Sequence, residues 1–187
     1  MSKKEDLKKV YADYVDSYKQ ATAHSRRKYL ETLRPGAIAP DDKPRFYSLE
    51  DKEAFRTICD KHREDAMNIF ESEYKAINEK ITEAPDADAV NTVQLLSLRE
   101  EIESDEIAAL LDKYGDNVQA YNAIIKIADD NGIKLEKHPI TEKMERLKNL
   151  AGTVSNAISV VGAEQGRATD AFASWIGVSI DEVFGDE

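Results

Sequence analysis

KKEDLKKVYADYVDSYKQATAHSRRKYLETL, residues 3–33, decides the reading of the whole chain. Leu7, Tyr18 and Tyr29 fall eleven apart in it, and so do Tyr11, Thr22 and Leu33. Eleven residues make three helical turns at about 3.67 residues per turn, so this spacing keeps one apolar stripe along one side of a nearly straight helix. The stripe returns after a proline-rich gap, with Phe55, Ala66 and Ile77 beside Cys59, Phe70 and Ile81. The pattern predicts a long antiparallel helical hairpin over residues 1–84, turned by a loop at 34–47 and packed as a coiled coil.

The prolines mark the joints: Pro35, Pro40 and Pro44 in the first, Pro85 in the second, Pro139 in the third. Arg34-Pro35-Gly36 stops the first helix near Leu33, because the residue before a proline is pushed out of the helical region. Ser48-Leu49-Glu50-Asp51 starts the second, with a hydroxyl acceptor and acidic residues facing the positive helix end. Residues 85–140 read as an acidic three-helix module plus linker, with helices at 89–101, 105–114 and 117–131. Asp88 and Ser104 are the expected caps of the first two, Asp116 or Asn117 that of the last, and Gly115 and Gly132 the expected stops. Its expected core is Val93, Leu96, Leu98, Ile102, Ile107, Leu110, Leu111, Tyr121, Ile124, Ile125 and Ile127. Residues 141–187 form C-terminal amphipathic helices: Thr141 as cap, a stripe from Met144 to Val161, a second piece around Phe172, Trp175 and Ile176, and a last turn from Ser179. The fold class is all-α.

Of 187 residues, 34% are charged and 7% aromatic, and a single cysteine leaves no intramolecular disulfide. The longest uncharged run, residues 149–163, is shorter than the roughly 20 residues of a membrane-spanning helix, and no N-terminal segment reads as a secretory signal. A cytoplasmic protein with no membrane partner is expected. The net charge of −11 is uneven: residues 1–84 hold 17 basic and 17 acidic side chains, residues 85–140 hold 5 and 12, and residues 141–187 hold 4 and 8. Binding to phosphate backbones is driven by lysine and arginine, so this balance argues against a nucleic-acid partner.

A search for chemistry finds no catalytic, cofactor-binding or metal-binding residue. His24, His62 and His138 lack the neighbours that metal or base roles require. Cys59 lies on an apolar stripe and reads as a buried hydrophobe. Asp86-Ala87-Asp88 opens like a calcium loop but has Val90 and Asn91 where a ligand and a glycine belong. Gly162 and Gly166 have GxxxG spacing in a polar context and mark a helix break. Residues 105–121 have the outline of a helix-turn-helix, yet the second helix bears Lys126 against Asp129 and Asp130, unlike a groove-reading helix. Neither an enzyme nor a small-molecule substrate is expected. The tyrosines Tyr11, Tyr14 and Tyr18 sit on the stripe itself, and phenol rings suit a seam that is apolar within and polar at its edge. Two stripes make a thin core for some 80 residues, so either the C-terminal helices or a second copy must cover them. Tyr11, Tyr14, Tyr18 and Trp175 are the expected partner-binding residues, for a protein partner or a homo-oligomer.

The Leu-Arg-Pro-Gly-Ala stop at residues 33–37, followed by an acidic helical module with Lys113-Tyr114-Gly115-Asp116-Asn117, resembles small helical proteins of the structural modules of tailed phages and prophages. The likeness is one of architecture over residues 1–135. It implies a scaffold-like or capsid-accessory role, in the host cytoplasm or the virion, and carries over no catalytic residue. The composition also allows a different class, an acidic inhibitor or nucleic-acid mimic that uses residues 85–140 to occupy the basic groove of a nuclease or DNA-binding protein.

Overall fold

The computed structural model describes residues 2–99 and 101–185. These form eight helices: α1 Lys3–Glu31, α2 Leu49–Ile81, α3 Ala87–Ser97, α4 Ser104–Tyr114, α5 Val118–Asp130, α6 Pro139–Ala157, α7 Val160–Glu164 and α8 Asp170–Phe184. No strand occurs among the described residues, so the protein is all-α. The chain divides into two compact units that differ from the three segments expected. Residues 1–71 and 148–187 make unit 1, and residues 72–147 make unit 2, so the boundaries fall inside α2 and α6 and not at Pro85 and Pro139.

In unit 1, α1 buries the predicted stripe only as far as Ser25, through Leu7, Tyr11, Tyr14, Val15, Tyr18, Thr22 and Ser25; Tyr29 is 37% exposed and Leu33 lies beyond the end of the helix. Opposite it, α2 contributes Phe55, Cys59, Ala66 and Phe70. Ser17 meets His62 and Lys28 meets Asp51, so the two helices run antiparallel. Their seam is not that of a two-stranded coiled coil, in which small and aliphatic knobs bring backbones close. Aromatic rings stand between them: Tyr14 and Tyr18 lie 6.2 and 5.5 Å from Phe55, and Phe46 lies 5.3 Å from Phe55. The closest backbone approach of α1 is to α8. The C-terminal helices therefore supply the cover that the thin stripes required, through Leu150, Val154, Ala157 and Ile158 of α6 and its end and Ile176, Ile180 and Phe184 of α8. Gly162 permits the tight α6–α7 junction, since a Cβ there would sit 2.3 Å from the Ala157 carbonyl oxygen. Ser159 caps α7 and Thr169 caps α8, which continues unbroken through Ser179.

Unit 2 is built on α3, α4 and α5, with α5 packed against both others. Its core joins Ala89, Leu96, Ile107, Tyr114, Ala120, Ile124 and Ala128, with Val93, Ile102, Leu110, Leu111, Ile127 and Ile133 around them. Leu98, expected inside, is 80% exposed, because α3 ends at Ser97 and the turn carries its side chain outward. Small residues took core places that a search for large apolar side chains passes over. Three caps also differ from expectation. Asp86, not Asp88, caps α3, and Asp88 instead accepts from Lys113 Nζ and the Tyr114 hydroxyl. Ser104 is the first residue of α4, not its cap. Thr141 lies inside α6, which starts at Pro139. Asn117 and Gly132 stand where expected: Asn117 Oδ1 accepts from Ala120 N–H at 2.9 Å, and Gly132 at φ 78° closes α5.

Candidate interaction surface

The seam tyrosines are occupied by their own chain. Tyr11 is 2% exposed, Tyr14 0% and Tyr18 5%. Tyr11 donates its hydroxyl proton to the Arg167 carbonyl at 2.8 Å, Tyr14 lies within reach of the Ala157 and Ser159 carbonyls at 2.8 and 3.1 Å, and Tyr18 donates to the Pro44 carbonyl at 3.2 Å. Burial holds all three phenols above their ordinary pKa. These residues are core, and the expectation that they line a partner surface is corrected: each polar tip points at an intrachain carbonyl. Around them, Cys59 is buried and its thiol is pushed up to about 12 by that burial, while burial lowers the pKa of His62 beside Ser17 Oγ. At the mouth of the hairpin loop, Asp51 is drawn down to about 2, first by the hydrogen bond from Lys28, then by those from Ser25 and Ser48.

Trp175 is the one expected partner-binding residue that faces outward, 52% exposed, with Phe172 behind it at 5.1 Å and Val178 also open at 56%. Helical spacing puts Ala171, Trp175 and Val178 on one outer face, opposite Ile176 and Ile180 in the core. This face borders an open groove of about 460 Å³ between α1 and α8, lined by Tyr11, Ala12, Ala173, Ser174, Gly177 and Val178 among others. A Cβ on Gly177 would meet nothing within 4 Å, so the groove keeps its depth there. Its ends are fixed by ion pairs, Lys19 with Asp170 at 2.7 Å and Lys8 and Lys4 with Asp181 at 2.7 and 3.0 Å. Val178 belongs to both the groove lining and the exposed face that carries Trp175.

No protein-family model, curated protein or solved structure matches the chain. Chemistry must therefore be read from the side chains alone. Among the described residues no group of three or more His, Cys, Asp or Glu is placed to hold a metal ion, and no helix is long and apolar enough to cross a membrane. His138 is buried, its Nε2 3.0 Å from the Gly115 carbonyl and its Nδ1 accepting from Ile140 N–H at 3.1 Å. The ring is thereby used up in joining the α4–α5 turn to the start of α6. Val178, Ala173 and Gly177 escaped the sequence reading. The signal that finds them is the Trp175/Val178 pairing at i and i+3 on a helix whose other face is already fully apolar.

Proposed function

We propose that the protein is a non-enzymatic assembly or adaptor protein that engages a protein partner through the outer face of α8 and the groove beside it. The observation that carries this reading is the exposure of Trp175 and Val178 together on the outer face of α8, where Val178 also lines a groove floored by small residues. Tryptophan is costly to leave in water and is among the residues that dominate interface energies when a partner covers them. The resemblance of residues 33–37 and 113–117 to phage structural modules supports a setting in virion or capsid assembly, in the cytoplasm or in the particle. The test is a photo-crosslinking residue placed at position 175 of the full chain in its native cells. A discrete adduct at 175, lost when Val178→Asp is added and absent with the crosslinker at Gln20, is the expected outcome. Equal labelling at both positions rejects the surface.

A second reading rests on charge. Unit 2 holds 17 acidic against 9 basic side chains, a net −8 out of the chain total of −11. An acidic mimic of nucleic acid would use that face, and its binding to a basic enzyme groove would weaken steeply with salt.

A further inference from the structure

Two apolar surfaces besides α8 are open in the same copy. The first is the outer side of α3. With Ala89, Val93 and Leu96 turned inward, Leu95 and Leu98 stand 66% and 80% exposed and Val90 38% exposed. The following segment is acidic, with Glu101, Glu103 and Asp105 all exposed, and it lies in the unit that carries the net −8.

The second is the loop between α1 and α2, where Ile38 is 95% exposed. This loop is built, not loose. Tyr47 N–H donates to Ser25 Oγ at 2.9 Å, the Tyr47 and Tyr29 rings stack at 4.7 Å, Arg26 donates to the Pro40 carbonyl at 3.3 Å, and Tyr18 holds the Pro44 carbonyl. Three prolines further restrict the backbone, so little ordering entropy remains to be lost on docking. Residues 26–47 carry six basic and three acidic side chains. Asp42 is bound by Arg26 at 2.6 Å and Asp41 by Arg45 at 2.8 Å, while Arg34 and Lys43 stand exposed on either side of Ile38.

We infer that the loop of one copy docks on the α3 face of a second copy, with Ile38 against Leu95 and Leu98, and Arg34 and Lys43 toward Glu101, Glu103 and Asp105. Charge complementarity selects this occupant, since the knob is basic and the socket acidic. Each copy carries both halves, so the contact is heterologous and propagates head to tail into a chain or ring. This inference deepens the assembly reading but uses a surface separate from α8.

The experiment is sedimentation velocity of the full-length protein over a concentration series at about 0.05 M and about 0.5 M salt, where screening differs severalfold in range. The expected result is mass that grows past a dimer with concentration at low salt and falls back at high salt. Ile38→Asp removes the knob, and Leu95→Asp with Leu98→Asp removes the socket. Each variant alone should be monomeric, and their mixture should stop at a heterodimer, because one intact knob then meets one intact socket. All substituted side chains are exposed, and far-UV circular dichroism checks that helicity is kept. A wild type that stays monomeric at low salt, variants that still grow, or a mixture that stays monomeric would each overturn the inference. Growth unchanged by Trp175→Ser separates this contact from the α8 surface, whose own crosslinking test can fail or succeed independently.

Discussion

Tyr14 shows why the stripe of α1 is built from tyrosine where phenylalanine has the same shape. Its ring packs on Phe55, and its hydroxyl sits against the Ala157 and Ser159 carbonyls at the α6–α7 junction, adding to the bonds those oxygens accept from Ser159 N–H and Ala163 N–H. Tyr14→Phe keeps the ring but removes the hydroxyl's bonds to those oxygens, which retain their backbone donors. We expect it to cost about 0.5–1.5 kcal/mol in urea unfolding, the usual net worth of a buried hydrogen bond. Tyr18→Phe, whose bond to Pro44 is longer and lies at the loop, should cost less. The stripe itself was legible from the spacing of Leu7, Tyr11 and Tyr18. The direction of the Tyr11 and Tyr14 hydroxyls was not, because their acceptors lie more than 140 residues away along the chain, and a local pattern holds no record of them.

Among the helices, α6 owes its start to a residue that the sequence presented as linker. Pro139 occupies the first helical position, where a missing N–H costs nothing, and His138 precedes it as the cap. Because Nδ1 accepts from Ile140, the ring proton sits on Nε2 and is donated to the Gly115 carbonyl. His138→Ala removes both bonds and the edge contact with Tyr121 at 4.9 Å. A loss of about 1–3 kcal/mol is expected in chemical denaturation, against a change within about 0.5 kcal/mol for Thr141→Ala, which sits within the helix. Thr141 was the natural choice by residue type, since histidine ranks low among caps, and only the tertiary bond to Gly115 makes His138 the better one. The same logic explains Asp86 and Asp88: both types suit a cap, and the nearness of Lys113 and Tyr114 recruits Asp88 elsewhere. Helix identity was thus readable from periodicity and prolines, whereas the choice between neighbouring polar residues was settled by distant partners.

For the molecule as a whole, the division into units makes a prediction about fragments. Unit 2 is a continuous stretch, residues 72–147, with its own core, whereas unit 1 needs residues 1–71 and 148–187 together. A fragment spanning 72–147 should show helical circular dichroism and a cooperative thermal transition. The fragment 1–71 should not, because Tyr11 and Tyr14 would lose Arg167, Ala157 and Ser159 as partners and their rings would face water. Adding the segment 148–187 in trans should restore the transition; recovery of a cooperative melt by 1–71 alone would contradict the division. The three sequence segments missed this arrangement because proline joints mark where helices break, not which helices share a core. A temporal consequence also follows from the tyrosine seam. A ribosome delivers α1 first and its covering helices last, with all of unit 2 in between, so the seam stays uncovered through most of synthesis. The newborn chain must shelter those rings by a chaperone, a neighbouring nascent chain or a transient pairing with α2 until α8 emerges.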